Sequence, residues 1–400
     1  MHRFRPLLLS WAVAALSAPA MAGVIVVSSF GTGDFTNVPD AVAAAEEGDT
    51  LLVQFVQHDP VVISGKSLTI VSDHNQVPRM RLTVQDLGPG QRVVLRRVAI
   101  FPFAPGNSAL ELHDNAGSVW LEDCDIAGGD GMSSAFTGCV GFTARGGAGL
   151  VAENCASVAL VRCLVRGGMG TDASESGGSH FEPTSGGPGA ELAASNVAFY
   201  ECTIEGGAKG EGEALCGPPP ASAAGLELDG SLALMSGCAL AGGGDGVRLG
   251  PGSELQTLDS TIAAGADGVP LVDDGGVLAE FTGTARSFAL TSPLREGEPG
   301  TLAIQGVQGD VVSFFLSFGS GTLPMPARQG WFLLSPSSLA GPYLLGTIST
   351  PGGTWNLPVV GPHVQASFEA LTFHLQAFFV DGGGVTLGSG TVFTLVDASL

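Results

Sequence analysis

Four hundred residues with 61 glycines, 24 prolines, seven cysteines, only 14% charged residues and a formal net charge of −22 exclude a disordered chain, a small disulfide scaffold and a nucleic-acid binder. The apolar share of 44% is ample for a large core, and the glycines keep no three-residue period, which excludes collagen. A chain of this length reads as more than one domain, or as one elongated repeat with an appendage.

The N-terminus has the pattern of a secretory signal over residues 1–22. His2, Arg3 and Arg5 form a basic start, an apolar stretch runs from Leu7 to Leu16, and Ala20-Met21-Ala22 is a small-x-small cleavage site. That stretch is short for a membrane span, and no later one approaches about 18 uninterrupted apolar residues. The expectation is export to a secreted or cell-surface location, with no transmembrane segment in the mature chain. Without Arg3 and Arg5 the chain carries 14 basic against 38 acidic residues, a net −24, which repels phosphate backbones and anionic lipid.

From Val93 onward the chain repeats itself. Residues 93–100, 119–126, 158–165 and 197–204 align position by position, and 233–240 and 255–262 continue the series. Each unit reads apolar-x-apolar, two residues, then small-or-apolar-x-apolar. Both halves alternate as strands do, and the two-residue interruption resets which face points inward, so two short strands joined by a bend are expected. A third short strand recurs at 110–112, 150–152, 190–192, 226–228, 247–249 and 269–271. Three strands per turn predict a parallel β-helix. Equivalent positions lie 26, 39, 39, 36 and 22 residues apart, so coils longer than the shortest are expected to extrude loops, over 129–148, 168–189 and 206–224.

Val98, Cys124, Cys163, Cys202, Cys238 and Ser260 share one position, which predicts a single interior column with cysteine as a small apolar filler. No histidine joins the column to complete a metal set, and parallel stacked side chains suit a disulfide poorly. Cys139 and Cys216 fall in the loops and are candidates for a bridge, which would leave Cys155 free.

With this rung pattern go two further segments. Residues 35–53 combine a helix whose small apolar face (Ala41, Val42, Ala45) suits an open end, a Gly48-Asp49 turn and a first strand; Ser67-Leu68-Thr69-Ile70-Val71 supplies the next. Over about residues 30 to 285 the chain resembles the pectin-lyase-like superfamily. The resemblance implies an all-β fold, a right-handed parallel β-helix with an N-terminal capping helix over 23–285, and an active face on the sheet of third strands. Val119-Trp120-Leu121-Glu122-Asp123-Cys124 is similar to the pectate-lyase Val-Trp-Ile-Asp-His-Cys segment, but Asp123 stands where that segment has histidine and no Arg-x-Pro-x-x-Arg follows. The Asn-Thr-Asp, Gly-His-Gly and Arg-Ile-Lys motifs of polygalacturonases are absent, with Asp273-Asp274 the only matching fragment.

On the third strands the outward positions are Glu111, Val151, Glu191, Glu227, Arg248 and Pro270; two residues further come His113, Glu153, Ala193 and Asp229. Glu191 and Glu227 occupy adjacent coils, which brings their carboxylates to about 5 Å. Such a pair is a candidate for acid–base catalysis or for Ca²⁺, with Glu111, His113, Glu153, Asp229 and Arg248 as candidate ligand-binding residues. The plainer reading is that outward side chains face water, although stacked carboxylates repel unless a cation or solvent intervenes. Asp130, Asp245 and Asp267 each precede glycine; they are weak calcium candidates against an ordinary Asx-turn role. His180 lies in the longest loop without a nucleophile or orienting partner nearby in sequence.

After about residue 286 short alternating segments at 301–304, 311–318, 331–334, 355–359, 371–380 and 392–396, separated by Gly and Pro turns, predict an antiparallel β-sandwich over 286–400. Trp331, Tyr343 and Trp355 could line a sugar site, though strand aromatics usually pack inward. The function expected is non-catalytic binding of polysaccharide or a cell-envelope component, or a structural spacer; the alternative is a polysaccharide lyase or glycoside hydrolase acting through the carboxylate face.

Overall fold

The computed structural model describes residues 23–400 apart from 56–59, 73–78, 135–141, 177–178, 217–218, 326–327, 364–367 and 399. The expected leader and Cys139 lie outside the described residues. Three parallel sheets of ten, seven and eight strands stack side by side, each taking one strand from successive turns of the chain. This is the expected β-helix. One coil runs along the first face as Ser118–Glu122, along the second as Asp125–Ala127 and along the third as Leu150–Glu153 before Ser157–Val161 starts the next. Register is strict: Ser118 lies opposite Ser157, and Leu150 opposite Ala190.

The two-residue interruption in the sequence repeat is a left-handed corner. Arg97, Asp123, Arg162, Glu201, Gly237 and Asp259 each take a φ between 49° and 66°, turning the chain from the first face to the second. The next residue points inward, and its amide is aimed across the corner where no strand can receive it. The column supplies the acceptor: Cys163 N–H donates to Cys202 Sγ at 3.4 Å, Cys202 N–H to Cys238 Sγ at 3.4 Å, and Cys238 N–H to Ser260 Oγ at 3.1 Å. The thiols are thus fillers and hydrogen-bond acceptors at once. Burial raises their pKa well above that of an ordinary thiol at Cys124, Cys163 and Cys202.

The corner from third face to first repeats the device. Cys155 N–H donates to Ser195 Oγ (3.0 Å), Ser195 N–H to Ser231 Oγ (3.1 Å) and Ser231 N–H to Ser253 Oγ (3.4 Å). Cys155 is therefore a buried free thiol in a second column, while Cys216 is disulfide-bonded.

The long coils do not simply extrude loops. Glycine-rich passes leaving the second face interleave with passes returning to the third, through Gly147 N–H to Gly129 O (2.7 Å), Gly168 N–H to Gly147 O (2.8 Å), Gly187 N–H to Gly168 O (2.8 Å) and Gly207 N–H to Gly187 O (2.7 Å). Backbone packs directly on backbone. A Cβ at Gly168 would stand 2.0 Å from Gly129 O, and one at Gly207 1.9 Å from Gly168 O. Beyond this layer the loops carry short hairpins, Met132–Ser133 with Thr143–Ala144 and Ser174–Ser176 with Ser179–Phe181.

The helix Val38–Ala44 caps the N-terminal end, with Ala41, Val42 and Ala45 buried against the first coils. Asn37 Oδ1 accepts from Asp40 N–H at 2.9 Å at its start, and Lys66 Nζ donates to Val42 O and Ala45 O at its end. A strand absent from the sequence reading, Val24–Ser28, precedes the helix and pairs in parallel with Thr50–Phe55.

The C-terminal part is a sandwich. A three-stranded sheet (Ser287–Leu290, Pro299–Gln305, Thr354–Val360) faces a five-stranded one (Leu294–Arg295, Gly384–Val396, Ala370–Asp381, Val311–Ser317, Ala340–Thr347). Phe288, Ile304, Val312, Phe314, Ala377, Phe379 and Phe393 fill the space between them. The expected antiparallel pairing holds except where Leu294–Arg295 joins Leu395 and Val396 in parallel, so the larger sheet is mixed.

This sandwich folds back onto the outer side of the first face. Trp331, Leu333 and Val392 pack on Val94, Trp120, Ala159, Val161, Ala198, Tyr200 and Leu234. At the seam Glu122, fully buried, accepts from Thr391 Oγ1 (2.6 Å), Val392 N–H (2.6 Å) and Trp120 Nε1 (3.2 Å), and is ion-paired with Arg96 and Arg162. The segment similar to the pectate-lyase one thus anchors the sandwich. Trp331 is buried, with Nε1 on Gln256 Oε1 at 2.8 Å, and Trp355 packs on the sandwich core, so neither tryptophan offers an open sugar platform. Tyr343 is half-exposed and tilts onto Phe314.

Candidate functional site

The third face is the outer surface on which the charged side chains converge. Strands Leu150–Glu153, Ala190–Ala193, Leu226–Asp229 and Val247–Leu249 alternate Leu, Ala or Val inward with outward positions that are charged except at Val151 and Ala193. Their register sets Val151, Glu191, Glu227 and Arg248 in one row and Glu153, Ala193 and Asp229 in another. The next member of the first row is Val272, not Pro270. Pro270 has no N–H to give to the ladder, so the strand begins at Leu271, two residues later than the expected start at 269, and Arg248 faces Val272.

These rows floor a shallow groove of about 370 Å³ lined by Arg145, Glu153, Glu191, Glu227, Asp229, Arg248 and Asp274 among others. Arg145, from the returning pass before the third strand, reaches Glu191 with Nη2 to Oε1 at 3.0 Å. Arg248 binds Asp245 at 2.8 Å, and Asp245 also accepts Val269 N–H at 3.1 Å. Partial burial works against its charge, yet the Val269 amide and the Arg248 guanidinium hold Asp245 below the usual carboxylate range. Glu227 goes the other way. Burial, then the charge of Glu191, push its pKa up, and Arg248 and Arg145 only partly offset them.

The stacked carboxylates therefore have Arg145 on Glu191 and Arg248 on the next coil beyond Glu227, which partly screen their repulsion. A carboxyl with raised proton affinity thus lies next to an arginine-held carboxylate in one row. The same groups also present hydrogen-bonding partners to hydroxyls.

The remaining candidates disperse. Glu111 lies one coil below Val151 and is tied to Arg81 at 3.0 Å, outside the groove. His113 meets Glu153 at 3.1 Å at its margin. Asp130 accepts Met169 N–H at 2.9 Å, and Asp267 pairs with Lys209. The three aspartates considered for calcium thus take three separate partners. Among the described residues no three His, Cys, Asp or Glu side chains converge in a set able to hold a metal ion. His180 pairs with Glu182, whose carboxylate also accepts Leu215 N–H, within the loop layer.

Two lining residues are not placed on this face by the sequence: Arg145, and Asp274, which the sequence offers only as half of the Asp273-Asp274 fragment. The signal for Arg145 is its place directly before the Gly146-Gly147 pass that returns to the third face, from which its side chain reaches Glu191.

No known protein-family model matches the chain, and no curated protein matches it. No helix among the described residues is long and apolar enough to cross a membrane.

Proposed function

We propose that this is an exported β-helix protein, related to the pectin-lyase-like superfamily, that binds polysaccharide or an envelope glycan along its third face. The observation that supports this most is the groove itself. Charged side chains line it over successive coils, with Glu153, Glu191, Glu227 and Asp229, and Arg248 in turn, at the strand spacing of about 4.8 Å, so an extended polymer lying along the helix axis would meet a hydrogen-bonding group at each coil. The first face does not compete, since the sandwich covers it.

A second reading, glycoside hydrolysis, draws on Glu227. Its raised pKa suits a general acid, with Glu191 as the partner carboxylate.

Binding to a glycan array, with and without calcium, followed by calorimetry on the best ligand, tests the first reading. The paired change Glu191→Gln with Glu227→Gln is expected to weaken binding at least tenfold and to leave the melting temperature unchanged, because both side chains are part-exposed and glutamine keeps their volume. Unchanged affinity would remove the groove from consideration. Release of reducing ends by the wild type, lost in Glu227→Gln, would select the hydrolase.

A further inference from the structure

His374 lies mid-strand in Ala370–Asp381, with its ring on the seam rather than in the sandwich core that Leu375, Ala377 and Phe379 fill. It is fully buried and meets Trp120 edge-on, with ring centroids 5.1 Å apart and planes at 66°. Neither ring nitrogen has a hydrogen-bond partner. A buried polar group left in that state is costly unless something uses it.

Its surroundings offer an imidazolium nothing. On the sandwich side its strand neighbours are Ser317 and Val392, with Gln376 two residues on. Gln376 is already engaged with Trp331 O, Gly388 O and Leu333 N–H. On the β-helix side the charged groups of the seam include Arg92, Arg96, Glu122, Asp123 and Arg162, and Glu201, which accepts Ser287 Oγ at 2.8 Å at a corner two coils beyond that of Trp120. Glu122 has its oxygens taken by Arg96, Arg162, Thr391, Val392 and Trp120, and Asp123 is held by Arg96 and Arg162. Arg92 repels a second positive charge.

We propose that His374 is a proton-operated latch between the sandwich and the β-helix: its neutral ring lets the sandwich seat at neutral pH, and protonation in acid drives the sandwich off, uncovering the strip formed by Trp120, Ala159, Val161, Ala198 and Tyr200.

The sign follows from linkage. Burial, with Arg92 adding to it, pushes the pKa of the seated ring down to about 3. An unseated ring titrates near the ordinary value of about 6.5. Undocked molecules thus bind a proton that docked ones refuse. Docking is fully held above about pH 6.5 and weakens about tenfold per pH unit below it, roughly a thousandfold by pH 3.

The experiment is an acid titration of the full chain from pH 7.5 to 3, following tryptophan fluorescence and hydrogen exchange of the first-face strands, for wild type, His374→Phe and His374→Leu. The variants are expected to match wild type at pH 7.5 and to undock at least one pH unit lower. Variants that dock at pH 7.5 and share the wild-type midpoint would overturn the latch. Should both fail to fold, NMR titration of the His374 ring in wild type decides: no protonation down to pH 4.5 while docked supports the latch, and ordinary titration near pH 6.5 without undocking refutes it.

Discussion

Glu122 shows how one outward residue changes meaning with its surroundings. Parity along Ser118–Glu122 correctly sets Val119 and Leu121 inside and Glu122 outside, and an outside glutamate reads as solvated. What buries it is Thr391 and Val392, about 270 positions further along, which no local pattern can report. The thiol column is the opposite case: inward parity and equal spacing are local, so Cys124, Cys163, Cys202 and Cys238 were legible as one stack. The buried carboxylate predicts a large mutational cost. Glu122→Ala leaves Arg96 and Arg162 with only the part-exposed Asp123 between them and strips Thr391 Oγ1 and Val392 N–H of their buried acceptor, and is expected to lower unfolding stability by about 3–5 kcal/mol in urea denaturation. A loss under about 1 kcal/mol would mean that the guanidinium groups find water or other acceptors.

Among the elements, the glycine passes were the ones misread. Gly and Pro runs are turn and loop signals taken singly, and that is how 129–148, 168–189 and 206–224 were read. The better signal is their recurrence: a Gly-Gly doublet stands at 128–129, 167–168, 206–207 and 242–243 on leaving the second face, and at 146–147 and 186–187 on returning to the third. Backbones can approach that closely only where no side chain intervenes. Gly207→Ala is accordingly expected to destabilise by about 2 kcal/mol or more, whereas Gly382→Ala, where an added Cβ meets open space, should stay within about 0.5 kcal/mol. Thermal melts of the two variants side by side are the check, and equal losses would show that the layer relaxes around a methyl group. The groove was half legible for the same reason. The glutamate row follows from strand parity, but Arg145 reaches it from a pass that its composition presents only as an extruded loop.

At the scale of the molecule, β-helix and sandwich share a buried strip, from Val94 to Leu234 on one side and from Trp331 to Val392 on the other. Neither can expose that surface cheaply. A single unfolding transition is expected at neutral pH, with far-UV circular dichroism and tryptophan fluorescence coincident; two separated transitions would show the seam to be weak. The thiol ladder and the interlocked glycine passes also set how such a molecule can change in length. Cys124, Cys163 and Cys202 follow one another at intervals of 39 residues, and corner, thiol and both glycine passes recur within each interval. The stretch from 163 to 201 is in effect a cassette. Copying it whole would extend every ladder by one step, while a few residues inserted into a pass would shear the backbone contacts above and below. Tandem duplication, not gradual insertion, is the route of growth this architecture leaves open.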